Sequence, residues 1–438
     1  MSNHFEIQFS PRESSACDAL DRVAEADIGI VVGDICLTEL EDRMAKTVRP
    51  TFRASTYRLA LWLAENWWRL RWEPEDDSLD WQLSHNLAAI GAGYVWPALT
   101  LVSDGERVML RMRPSTVTAS ADIRYLLQTD LRISVESLIT GIDRFIGAVI
   151  ERLRACGQQD TDLEMLWNDL LEERQDAETA QRRKLEALAG LDPDADEGAF
   201  LDSLLAQQSS IGPSGLEELV AACKAATQDT LNVLAGLHEQ GATRLALPAI
   251  EPVRARIRKD LGKQSVWTIL GGQAPATWQR AYRAADAVRE HWGLGPGAIS
   301  NTQLAEALGT DAQRLFAPST ATQCPISAGF RDDLSGHFDV VLAARAPTGR
   351  RFAVARLLGD YLASADTEHL LPATATKTAR QTFQRAFAQQ LLCPVDDLKR
   401  VLDTDQPDDE RIEDAALEFD VSPLLVKTTL VHQGNHRP

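Results

Sequence analysis

The sequence predicts an α+β protein, predominantly helical, built from three segments. Three observations carry this. Short β-type runs and an Asp-Gly turn signal concentrate in residues 1–130. Stretches with helical spacing of apolar residues fill 131–270. From about residue 275, two strand-like runs stand among helices that carry recognisable stop signals. The expected organisation is a Trp-rich mixed α/β domain over 1–130, a helical region over 131–270 and a further α+β domain over 275–438.

In the first segment, His4–Ser10 and Ile28–Val32 read as strands. Ser55 is a candidate N-cap for a helix over Thr56–Trp67, where Leu59, Trp62, Leu63 and Trp67 recur on one face. Leu99–Val102 and Arg107–Met112 flank Ser103-Asp104-Gly105-Glu106, an Asp-Gly turn between β-type runs that signals a hairpin. In the second segment, Val135–Leu153, the charge-studded Leu163–Leu188 and Leu216–Leu237 read as helices. The run from Asp192 to Gly198 and the run from Ser209 to Gly215 read as linkers. In the third, Trp278–Trp292 is a helix stopped by Gly293 and the Gly295-Pro296-Gly297 breaker. Asn301–Leu308 is a short helix closed by Gly309. Ile326–Arg331 and Phe338–Ala344 read as strands, and helices are expected over Arg351–Leu362, Lys377–Leu392, Ile412–Phe419 and Pro423–Val431.

Composition limits the function. The chain has 438 residues, 44% hydrophobic and 25% charged, as in a folded protein of two or three domains. No apolar run is long enough to span a bilayer, and the first residues lack the pattern of a signal peptide. The six cysteines have no C-x-x-C spacing, which fits reduced thiols in a cytoplasmic protein. A net charge of −19 argues against nonspecific binding to nucleic acid.

The third segment resembles the ImmA/IrrE family of metallopeptidases in the order of its parts. Leu304-Ala305-Glu306-Ala307-Leu308-Gly309 matches a small helix ending in Leu-Gly. Arg351-Phe352-Ala353-Val354-Ala355-Arg356-Leu357-Leu358-Gly359-Asp360 matches the start of the helix that carries the zinc motif, R-F-x-x-A-H-E-x-G-H. Gln381 to Pro394 is similar to the helix reading E-x-x-A-N-x-F-A-A-E-L-L-M-P, and Ala416 to Ser422 to the closing A-x-x-F-x-V-S. The resemblance implies a zincin-like fold for 275–438, within a family whose members cleave helix-turn-helix repressors in mobile-element control and stress response.

The chemistry departs from the family. A zincin needs two imidazoles at i and i+4 to hold zinc, and a glutamate to activate the bound water. The matching positions are Arg356, Leu357 and Asp360, and the third ligand falls at Gln381. Arginine presents only donors and leucine cannot act as a base. The expectation is a pseudo-metallopeptidase with no cofactor and no metal, in which Arg356 and Asp360 either pair across one helical turn or stand as independent surface charges. The expected function is regulatory or interactive, in bacterial stress response, mobile-element control or phage defence. The expected partner is another protein, with neither nucleic acid nor membrane. Two alternatives stand: a divergent zinc endopeptidase that cleaves a repressor-type protein, and a ligand-binding or effector N-terminal domain on a helical scaffold.

Other candidates are weaker. His432 and His436 are spaced i, i+4 but lie in a polar tail, and Glu368-His369 reads as a surface pair. His337 has no evident partner in sequence. Six of the ten tryptophans lie between Trp62 and Trp96, interleaved with arginines. Such a cluster forms a core, or grips a peptide, or stacks on a base. Adjacent Trp67 and Trp68 cannot face one core squarely. Trp68, Arg69 and Arg71 are therefore the candidate binding residues, expected against a second surface formed by another segment of the chain or by a partner.

Overall fold

The computed structural model describes residues 4–115, 122–193, 198–262, 275–316, 324–332, 337–404 and 406–434. It is mixed α and β with helix in excess. The chain divides into two compact units, Met1–Leu201 and Asp202–Pro438, each with its own apolar core. The helical middle stretch of the sequence is thereby shared between them.

In the first unit, Phe5–Pro11 pairs antiparallel with Glu25–Val32, which also pairs with Ile35–Cys36 and Phe52–Ser55. The expected hairpin forms between Ala98–Ser103 and Arg107–Arg113, extended by Thr129–Ser134. Asp104 fixes the turn, because its Oδ1 accepts from the backbone N–H of both Glu106 and Arg107. A smaller sheet joins Leu40–Asp42 to Thr47–Arg49 and Ile123–Tyr125.

Ser55 caps the Thr56–Glu65 helix as expected, but this helix stops at Asn66 and a separate short helix covers Trp67–Trp72. Leu163–Leu188 is likewise two helices, Asp162–Gln175 and Ala177–Ala189. The break is at Asp176, whose side chain accepts from Thr179 N–H and so starts the second helix. Helices, one of them Val135–Ala155, complete the core with the tryptophans.

The second unit is organised about an antiparallel sheet in the order Thr243–Leu245, His337–Val341, Ser327–Asp332, Leu370–Ala373. The expected Leu216–Leu237 helix is two, Pro213–Cys223 and Thr227–Gly241. The central helix runs Pro347–Ala363, starting earlier than expected because Pro347 sits at its first turn, where a missing N–H costs nothing. It packs on the Ala379–Leu392 helix, which Thr378 caps. The contact is close at Gly359, where an added Cβ would lie 2.6 Å from the Phe387 ring. Leu357, Leu358 and Phe387 are fully buried there. No helix among the described residues is long and apolar enough to cross a membrane.

Candidate functional site: a buried arginine–carboxylate cluster

The Pro347–Ala363 and Ala379–Leu392 helices bring two of the four expected positions, Arg356 and Gln381, into direct contact. Arg356 donates through Nη2 to the Gln381 side-chain oxygen and to Thr374 O, the latter at 2.6 Å. Gln381 is wholly buried; its oxygen also accepts from Thr374 N–H at 2.9 Å and its amide donates to Pro372 O at 3.0 Å. The positions matched to the first zinc histidine and to the third ligand are thus joined directly. Leu357, at the position of the catalytic glutamate, is packed in the core.

Asp360 neither pairs with Arg356 nor stands at the surface, contrary to both expectations. Its carboxylate is taken by Arg380 from the facing helix, in a two-point contact with Nε–Oδ1 at 2.9 Å and Nη2–Oδ2 at 2.8 Å. A guanidinium arriving from across the helix pair meets both oxygens in plane, the geometry that makes arginine–carboxylate pairs strong.

Two more carboxylates complete the cluster. Glu218, from the Pro213–Cys223 helix, accepts from Thr378 Oγ1 at 2.6 Å and Thr376 Oγ1 at 3.3 Å. Glu368 accepts from the backbone N–H of Ser214 and Gly215, at 3.1 and 2.8 Å, and lies 4.0 Å from Arg380 Nη1. Glu368 was expected on the surface; it is 3% exposed because it serves the first turn of that helix, where amide groups lack internal partners.

Burial sets the charge states. It pulls Arg356 down to about 10, with Arg385 adding to the effect, so Arg356 remains a cation at neutral pH. Burial would lower Arg380 as well, but Asp360, Glu218 and Glu368 outweigh it and raise the pKa. Burial raises Glu218, against the pull of Arg380 and Thr378. The cluster is therefore a buried polar core in which arginines and carboxylates offset one another. Arg356 Nε, Arg380 Nη1 and Gln384 Oε1 are buried without a hydrogen-bond partner among the described residues.

The segment read as a linker, Ser209–Gly215, is docked. His369 O accepts from Arg331 N–H within the sheet, while His369 N–H donates to Ile211 O at 3.0 Å. A Cβ added at Gly215 would lie 2.4 Å from Leu370 O. The outer edge of the Leu370–Ala373 strand, a surface on which an extended peptide can add as a further strand, is thus closed by the chain itself. Among the described residues no group of three or more His, Cys, Asp or Glu is arranged to hold a metal ion. Of the His432–His436 pair, His436 and the side chain of His432 lie outside the described residues.

The tryptophan cluster is interior. Trp67 and Trp68 meet edge to face with centroids 4.8 Å apart, and both are buried. Trp68 Nε1 donates to Glu173 at 2.8 Å, so the second surface is the Asp162–Gln175 helix of the same unit. Arg69 pairs with Glu73 at 2.6 Å and reaches Asp192, and Arg71 donates to Gly105 O at 2.9 Å while lying over Trp72. The three candidate binding residues thus each make a hydrogen bond within the unit. Arg380 and Glu218 are the site residues sequence reasoning missed. Arg380 follows the cap Thr378 by two positions, a weak signal; Glu218 gives none in sequence.

Comparison of the chain with models of known protein families, with curated proteins and with solved structures finds no match.

Proposed function

We propose that the second unit is a metallopeptidase-like scaffold of ImmA/IrrE type whose metal centre has been replaced by the arginine–carboxylate cluster, and that the protein acts without catalysis, as a regulatory protein that recognises another protein. The observation that carries this reading is the Arg356–Gln381 hydrogen bond. It joins the two helices at the positions where the family would hold zinc, by donor chemistry that excludes a cation. Two further features support it. Asp360 is neutralised by Arg380 and so is not free to ligate. The strand edge beside the cluster is closed by residues 211–215, which leaves no open edge for a substrate chain there.

The test restores the ligands. Arg356→His, Asp360→His and Gln381→Glu are combined with Arg380→Leu, so that no guanidinium is left unpaired. The expected result is a folded protein that takes up one equivalent of zinc, because the side chains at 356 and 381 already meet. A folded variant that binds no zinc would remove the support for a metallopeptidase ancestry.

A further inference from the structure

The second unit contains a cavity of about 360 Å³, bounded by the Thr227–Gly241 helix, the Gln208–Ile211 turn of helix and the strands Ser327–Asp332 and Leu370–Ala373. That volume is in the range of small-molecule sites. Its floor is apolar, formed by Ile211, Leu231, Leu234 and Leu370. One wall carries an aromatic pair. The His238 ring lies on Phe330, with centroids 4.1 Å apart and planes 17° apart. Asp339 holds that ring in place from His238 Nε2 at 3.3 Å, and is itself met by Arg244 Nε at 3.1 Å.

The charged groups of this wall are already engaged. Arg331 donates to Ala365 O, Tyr361 O and Ser364 Oγ. Asp339 is shared by His238 and Arg244. Neither Arg331 nor His238 is held in reserve as a counter-ion for a charged ligand. Asn232 sets an amide at the exposed mouth, where it can orient a neutral ligand.

We infer that this cavity is a binding site for a small, uncharged, planar heteroaromatic molecule. The ring packs on the leucines beside the His238–Phe330 pair, and an acceptor on its edge serves the Asn232 amide. The site shares no residue with the Arg356–Gln381 and Asp360–Arg380 pairs, so it stands apart from the function proposed above. It does share Ile211 and Leu370 with the docked segment, so an occupant touches both the segment that closes the strand edge and the strand itself.

The test uses the full chain, with indole, quinoline and benzimidazole as neutral probes and indole-3-carboxylate as the charged comparison, at slightly alkaline pH. Binding is read by ligand-observed saturation-transfer NMR and titration. At least one neutral probe is expected to bind with Kd on the order of 1 mM or tighter. The carboxylate is expected to bind at least about tenfold more weakly. Ala235→Trp places an indole in the mouth from an exposed helix position and is expected to weaken the neutral probe about tenfold or more without changing Tm. Asn232→Trp, also exposed, does the same from the next turn and replaces it if Ala235→Trp melts early. The inference is overturned if no neutral probe binds at that level, if the carboxylate binds as well, or if the Trp variants bind the probe as the parent does.

Discussion

At the scale of single residues, the arginine–carboxylate cluster is a question of which charges depend on which. Asp360 is 3% exposed and meets Arg380 through both oxygens. Removing Arg380 alone leaves a buried carboxylate without its counter-ion, which costs about 3–5 kcal/mol. A double-mutant cycle of Asp360→Ala with Arg380→Ala is therefore expected to show strong coupling, and a cycle of Asp360→Ala with Arg356→Ala much weaker coupling, read from denaturant unfolding. The i, i+4 spacing suggested the second pair because it guarantees proximity on one helix. It says nothing of a guanidinium supplied by another helix, twenty residues on in sequence. Arg356 and Gln381 were thus legible as positions that the fold brings together, while the partner of Asp360 was not.

A second residue-level expectation concerns pH. His85 is wholly buried, stacked on Trp81 and hydrogen-bonded to Trp81 O and Ser84. Burial lowers its pKa from 6.5 to about 4, with the charge of Arg69 acting the same way. Between those values the unfolded chain binds a proton that the folded one refuses, so stability falls as pH drops from about 6.5 to about 4. The full effect is on the order of 3 kcal/mol. Unfolding of the parent and of His85→Gln across this window should diverge in slope, with the variant flatter. Parallel curves would show that His85 is not held neutral.

At the scale of elements, the sequence was most informative where local chemistry decides the outcome. Ser55 and Asp104 act through groups within three residues, and each marks a boundary that forms. It was least informative where the signal is distant or brief. The Asp176 break lies inside a run with good helix formers on both sides, so the period hides it. The Leu370–Ala373 strand has four residues and includes Pro372, which an edge strand tolerates and whose carbonyl accepts from Gln381 and Gln384. The Gly-Pro-Ser-Gly stretch at 212–215 looked like a linker because glycine marks both flexible chain and close approach. Gly215 is the latter: it starts a helix whose backbone lies against Leu370. Gly215→Ala is thus expected to destabilise by about 1–3 kcal/mol through overpacking. On an undocked helix the same change would stabilise by up to about 1 kcal/mol. The sign of the change in unfolding free energy separates the two.

At the scale of the whole molecule, each unit has a continuous apolar core, one drawn from residues between Phe5 and Ala187 and the other from residues between Leu245 and Val426. Chains of residues 1–193 and 198–438, which keep the Gly198–Ala206 helix whole, are each expected to unfold cooperatively with dispersed NMR spectra. A unit that stays unfolded alone would show that its core is incomplete. The replacement of a metal centre by internal charge pairs is most directly tested by metal analysis of the purified full-length protein, with melting followed before and after chelation. The expected result is far less than one equivalent of zinc and a Tm that chelator leaves unchanged, because the Arg356–Gln381 and Asp360–Arg380 contacts hold the cluster from within the chain. One equivalent of tightly held zinc, with a Tm that falls on its removal, would contradict it.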